Sequence, residues 1–281
     1  MAFQTLIDSG SLKRLAGDPR VAILDCRFDL LDPDAGPRAY ATGHIPAAQY
    51  VHLARDLSAP VSSASGRHPL PSPQLFAAKM GRLGIGNDTQ VVAYDAANGS
   101  FASRLWWMLR WMGHAAVAVL DGGLNAWLAS GGALESGRPE PMPALFSPRI
   151  AAGAWLNTAE LIAALGDPRT LLVDARAPER FAGRVETMDP VAGHVPGAVN
   201  HPFSENLRAD GRFLAPAVLA ARWRSLIGNK QPEDLIAMCG SGVTACHNLL
   251  ALEVAGLAGA RLYAGSWSEW IRDAERPVAR G

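Results

Sequence analysis

The sequence predicts an α/β protein built of two tandem domains of one kind, each a mostly parallel central sheet flanked by helices, and three observations predict it. The first is internal repetition. Val21-Ala22-Ile23-Leu24-Asp25-Cys26-Arg27 returns as Thr170-Leu171-Leu172-Val173-Asp174-Ala175-Arg176, and Gly43-His44-Ile45-Pro46 returns as Gly193-His194-Val195-Pro196. Val91-Val92-Ala93-Tyr94-Asp95 matches Leu235-Ile236-Ala237-Met238-Cys239, and Leu120-Asp121-Gly122-Gly123-Leu124-Asn125-Ala126-Trp127 matches Tyr263-Ala264-Gly265-Ser266-Trp267-Ser268-Glu269-Trp270. Four segments recurring in one order, at offsets of about 143 to 150 residues, mean that one domain is written twice. The second observation is alternation. Short apolar runs are separated by helical patterns such as Ser72 to Leu83 and Ala215 to Ile227, an order that favours a parallel sheet covered by helices. The third is that these runs are continuously apolar, as strands buried on both faces require.

Taken in order, each copy opens on an apolar strand that ends in an acid and a base, passes a Gly-His-x-Pro turn, and closes on a short Trp-bearing helix. The tryptophans of Leu124 to Trp127 and Ser266 to Trp270 are expected in the core. His44 and His194 occur in both copies, which argues for a structural role in a turn; Cys26 is expected in the core. Gly131-Gly132-Ala133-Leu134-Glu135-Ser136-Gly137-Arg138-Pro139-Glu140-Pro141-Met142-Pro143 cannot hold regular structure and reads as a surface linker. The first domain is therefore expected over 1–132, a linker over 133–150 and the second domain over 151–281.

Acids and bases balance at 26 each in 281 residues, so the overall charge recommends neither nucleic acid nor an anionic membrane as partner. Three cysteines, Cys26, Cys239 and Cys246, make no disulfide framework and argue for a reducing compartment. The N-terminal residues show no signal-peptide pattern and no apolar run approaches membrane-spanning length, so the expectation is a soluble cytoplasmic protein. Cys246 and His247 lack a second ligand pair, and no metal site is expected.

The stretch from Glu233 to Leu250 carries the chemistry. Leu235 to Met238 reads as a buried strand, and Leu249, Leu250, Leu252 and Val254 then recur at helical spacing, so the period changes just after Cys239. Gly240-Ser241-Gly242 joins the two. A small-residue loop between strand and helix can turn several backbone N–H groups on one anion, and the helix N-terminus adds partial positive charge. A cysteine at its mouth is expected to react as a thiolate. The first copy has Asp95 at the matching position, followed by Ala96-Ala97-Asn98-Gly99-Ser100, a loop with no nucleophile. That copy is expected to be catalytically inactive.

Cys-Gly-Ser-Gly-Val-Thr-Ala at 239–245, the repeated Asp-x-Arg and Gly-His-x-Pro segments and the terminal Gly-Ser-Trp-Ser-Glu-Trp together resemble the two-domain rhodanese family of sulfurtransferases, over essentially the whole chain. Members of that family that use thiosulfate resemble one another in basic residues just after the cysteine, whereas those that use 3-mercaptopyruvate have Gly-Ser-Gly or Gly-Thr-Gly, as here. Charged donors would hold the thiosulfate dianion strongly, while an uncharged loop suits a monocarboxylate whose binding charge lies elsewhere.

The resemblance implies 3-mercaptopyruvate as donor, Cys239 as nucleophile and persulfide carrier, pyruvate as product, and a thiol such as thioredoxin, or cyanide, as acceptor, with no cofactor. Backbone N–H groups of Gly240, Ser241, Gly242, Val243 and Thr244 would cradle the persulfide. Arg180 matches the family's substrate-binding arginine, and a guanidinium fork suits an α-keto carboxylate. A second arginine expected shortly before Gly193 is missing from Val185 to Ala192, and Arg184 is the candidate to replace it. Asp56 and His68 match positions of a relay ending on Ser241, suited to moving a proton.

Thiosulfate sulfurtransferase is the nearest alternative, and a non-catalytic sulfur-carrier or binding module is another. Cysteine phosphatase chemistry would need an arginine at position 245, which is alanine.

Overall fold

The computed structural model describes residues 2–281. Two compact units divide the chain: residues up to 59, 70–152 and 210–212 belong to the first, and residues 60–69, 153–209 and 213–281 to the second.

In the first unit, β1 (Leu6–Ile7), β2 (Val21–Asp25), β3 (Gln49–Tyr50), β4 (Gln90–Tyr94) and β5 (Val117–Leu120) form one sheet in the order β1-β5-β4-β2-β3. The second unit repeats it with β6 (Trp155–Leu156), β7 (Leu171–Asp174), β8 (Val199–Asn200), β9 (Leu235–Met238) and β10 (Arg261–Tyr263) in the order β6-β10-β9-β7-β8. Every pairing is parallel, and Asp25 opposite Tyr94 has its counterpart in Asp174 opposite Met238. Parallel strands need covering on both faces. Accordingly all four residues of β9 are fully buried, as are Val91 to Tyr94 of β4.

Helix ends follow local chemistry. The helix Pro73–Arg82 starts where the Ser72 side chain accepts from the Leu75 N–H at 3.3 Å and proline fills the first turn. Pro216–Ile227 likewise has proline at its start. In Thr158–Leu165 the Asn157 and Glu160 side chains cap each other's N–H groups. Trp127, Trp267 and Trp270 are buried in the two cores, as expected for tryptophans of these helices. Each indole withdraws roughly 200 Å² from water, a gross gain of about 5 kcal/mol.

The repeated motifs explain one another. Arg27 forks onto Asp25 and reaches the Gly43 carbonyl at 2.7 Å; Arg176 forks onto Asp174 and reaches the Gly193 carbonyl at 2.8 Å. The acid and base at the strand end thus tie down the Gly-His turn, and each buried charge keeps a partner. His44 stacks on Tyr40 at 4.0 Å and His194 on Phe181 at 3.8 Å, each with Nδ1 on that aromatic residue's carbonyl oxygen. Both histidines are structural. Cys26 is buried.

Residues 133–150 contain no helix or sheet strand and run along the first unit. The Ala144 N–H donates to the Gly81 carbonyl at 2.9 Å, Asn87 brackets Ser147, and Phe146 is buried. Among the described residues no helix is long and apolar enough to cross a membrane.

Candidate functional site

Cys239 stands at the C-terminal end of β9, a central strand of its sheet, and the helix Thr244–Val254 begins five residues on. The cysteine is buried. Its N–H donates to Ser266 Oγ at 3.0 Å, while its carbonyl accepts from Trp267 N–H at 3.0 Å and that of Gly240 from Ser268 N–H at 2.9 Å. The loop is therefore pinned by its carbonyls to the helix Ser266–Trp270. Among the described residues the N–H groups of Gly240, Ser241, Val243 and Thr244 have no protein acceptor.

Two residues carry the backbone strain of this arrangement. Gly242 has φ +75°, and a Cβ there would lie 2.4 Å from the Ala264 carbonyl oxygen, so only glycine fits. Ser266 has φ +54° where the first copy has Gly123 at φ +57°. Its Oγ accepts from Cys239 N–H and donates to the Tyr263 carbonyl at 3.0 Å, which offsets a cost of about 1 kcal/mol for a non-glycine residue there.

The first copy displays what such a loop does with a negative charge. Asp95 is fully buried, and its carboxylate accepts four backbone N–H bonds, from Ala97 (2.8 Å), Gly99 (2.9 Å), Phe101 (2.8 Å) and Ala102 (2.9 Å). Burial pushes this carboxyl up from its ordinary value, and the four bonds oppose that shift. The first copy's loop, which carries no cysteine, is filled by its own carboxyl group.

Residues 60–69 belong to the second unit, anchored on the Trp-bearing helix. Gly66 N–H donates to Glu269 at 3.3 Å, Arg67 N–H to Ser268 Oγ at 3.0 Å, and Arg272 reaches the Ser65 carbonyl at 3.0 Å. These bonds bring His68 to the loop: its Nδ1 lies 2.8 Å from Ser241 Oγ, with both residues buried. Thr244 is half-buried at the first position of its helix. Asp56 lies in the first unit, where it accepts from the His52 N–H at 2.8 Å and pairs with Lys79 at 2.8 Å.

Charged groups gather beside the uncharged loop. A Cβ at Gly240 would lie 2.8 Å from Arg67 Nη2 and 3.6 Å from Arg180 Nη1. Arg180 forks onto Glu186 (2.8 and 3.1 Å) and reaches Asp189 at 3.0 Å; Arg67 Nη1 pairs with the other oxygen of Asp189. Burial lowers the Arg67 guanidinium from its ordinary value, and Cys239 is the largest opposing influence. It stays charged throughout, as arginine does in proteins. Arg184, expected from the sequence to replace the missing arginine, instead lies 60% exposed and pairs with Glu179 at 2.6 Å.

Arg67 is the residue that sequence reasoning missed. It adjoins His68 in Gly66-Arg67-His68-Pro69, and that adjacency was the available signal. Elsewhere, Cys246 Sγ lies 3.3 Å from the Gly242 carbonyl oxygen, and His247 stacks on Phe213 with ring centres 4.5 Å apart. No group of three metal-ligating side chains occurs among the described residues.

Two five-stranded parallel sheets, each with a strand–loop–helix at the end of a central strand, define the rhodanese class. The Rhodanese-like domain model matches residues 8–130 and again 157–273, and the chain belongs to that family. It is 49% identical over 283 residues to the probable 3-mercaptopyruvate sulfurtransferase of Pseudomonas aeruginosa, across 100% of both chains. It is 43% identical to the putative thiosulfate sulfurtransferase SseB of Mycobacterium tuberculosis, over 99% of this chain and 98% of that one. The crystal structure of the 3-mercaptopyruvate sulfotransferase SseA from Escherichia coli superposes with a TM-score of 0.82 at 33% identity, covering 95% of this chain and 100% of SseA.

Proposed function

We propose that this protein is a sulfurtransferase that takes sulfur from 3-mercaptopyruvate onto Cys239 as a persulfide, releases pyruvate, and passes the outer sulfur to a thiol or cyanide. The observation that carries this reading is an uncharged Gly-Ser-Gly loop beside Cys239 with the guanidinium groups of Arg67 and Arg180 next to Gly240.

In this mechanism the donor's carboxylate is gripped by Arg180 and Arg67, and the Cys239 thiolate attacks the donor sulfur. An S–S bond forms as the C–S bond breaks, and the electron pair passes to carbon as the enolate of pyruvate. The enolate takes up a proton; His68, bonded to Ser241 at 2.8 Å, is suited to deliver it or to polarise the keto group. The persulfide anion is stabilised by the loop N–H groups, as Asp95 is in the first copy. A thiol then attacks the outer sulfur and Cys239 leaves as thiolate. Asp56 enters this scheme as a relay member on sequence resemblance alone. The acceptor we favour is a reduced thioredoxin-type dithiol in the cytoplasm, in keeping with three cysteines that are all free.

Thiosulfate as donor is the second reading. It is favoured by the same two guanidinium groups, which would also grip a dianion. The deciding experiment is a pair of specificity constants for 3-mercaptopyruvate and thiosulfate with one acceptor and Cys239→Ser as blank. A preference for 3-mercaptopyruvate of about tenfold or more, about 1.4 kcal/mol in transition-state binding, supports the first reading. The reverse preference replaces it with the second.

A further inference from the structure

Asp189 lies in the segment where a second arginine was expected, and the structure gives it an unusual position. One carboxylate oxygen pairs with Arg67 Nη1 and the other lies 3.0 Å from Arg180 Nη2, while its side chain is only 3% exposed. It is held there by its own turn: the N–H groups of Met188 and Asp189 donate to Glu186 at 2.8 and 3.1 Å, and Glu186 lies on Arg180. A carboxylate this buried persists only when fully paired.

The charges around it balance. Arg67, Arg176 and Arg180 are matched by Asp174, Glu186 and Asp189, with Arg176 on Asp174 and Arg180 on Glu186. Asp189 is therefore the counter-charge shared by the two guanidinium groups that flank Gly240. A donor bearing one negative charge gains two forks of hydrogen-bond donors at modest repulsion from that carboxylate. A donor bearing two doubles both its attraction to the arginines and its repulsion from Asp189, so the Asp189 charge costs it twice as much, in a site where burial weakens screening.

Resting on the sulfurtransferase reading, we propose that Asp189 sets donor specificity, holding Arg67 and Arg180 together while discriminating against dianionic donors through its charge. It touches neither donor nor Cys239 and acts through the two arginines, so it is a positioning and charge-setting residue.

The test is the ratio of specificity constants for 3-mercaptopyruvate and thiosulfate in the full-length chain carrying Asp189→Asn or Asp189→Glu. Asparagine keeps the shape and removes the charge, and the ratio falls about tenfold or more through improved use of thiosulfate. Asp189→Glu restores the charge and keeps the original ratio. Equal loss with both donors in Asp189→Asn, or a ratio that moves as far in Asp189→Glu, overturns the proposal, because a merely structural residue would behave so. The donor reading is judged separately, on the ratio of the unsubstituted protein. A chain that prefers thiosulfate from the start, and prefers it more strongly in Asp189→Asn, refutes the donor reading and keeps the role of Asp189.

Discussion

Replacing Asp95 by alanine tests the physical basis of the loop without touching Cys239. The carboxylate accepts four backbone N–H bonds of 2.8 to 2.9 Å in a fully buried position. Bonds to a charged acceptor contribute roughly 1.5–3 kcal/mol each, against a desolvation cost of several kcal/mol for the carboxylate. Truncation removes both terms but leaves four buried donors, so the expected net loss is about 3–5 kcal/mol. For a unit of this size that lowers the melting temperature by roughly 10 °C.

The vacated loop is then an anion site. Formate, the size of the carboxylate removed, at a hundredfold excess over its dissociation constant restores about 2.7 kcal/mol in Asp95→Ala beyond its general effect on the unsubstituted protein. Calorimetry of both proteins across a series of formate concentrations reads the two quantities together. A loss below about 1 kcal/mol, with no extra response to anions, would refute the claim that these loops are built to hold negative charge.

Ser241→Ala removes the partner of His68 Nδ1 and should lower kcat about 10- to 100-fold with a smaller change in KM, measured by pyruvate release under saturating acceptor; an unchanged kcat contradicts a relay. Gly242→Ala places a Cβ 2.4 Å from the Ala264 carbonyl at φ +75°, and should abolish turnover or cost at least about 2 kcal/mol in stability by denaturant unfolding. Burial lowers His114 and His201 from the ordinary 6.5, so the unfolded chain takes up protons first as pH falls. Stability is therefore expected to fall between about pH 7 and pH 5, and His114→Phe should lessen that slope; equal melting temperatures at both ends of the range would contradict the assignment.

The architecture was legible because it is written twice in local signals. Continuous apolar runs at Val91 to Tyr94 and Leu235 to Met238 became buried parallel strands, and Ser72 with Pro73 opened the helix that periodicity had placed there. The loop of Cys239 was legible for the same reason, since glycines and a change of period mark it. What the sequence concealed depends on contacts distant in the chain. Residues 60–69 join the second unit through bonds to Asp189, Ser241, Ser268, Glu269 and Arg272, all distant in sequence, and no periodicity announces them. Nothing local therefore distinguishes Arg67, while Arg184, near Arg180 in sequence, reads as closer to the site than its exposed pair with Glu179 allows. Glu186 and Asp189 occupy the stretch from which a second arginine is missing, and the two guanidinium groups make them natural partners.

Intact-protein mass spectrometry after incubation with 3-mercaptopyruvate and no acceptor tests the central claim most directly. The expected result is one added sulfur atom on the chain, located at Cys239 by peptide mapping, with an equivalent amount of pyruvate released, and its loss on addition of thiol or cyanide. No addition, or a sulfur atom carried equally well by Cys239→Ser, would contradict it.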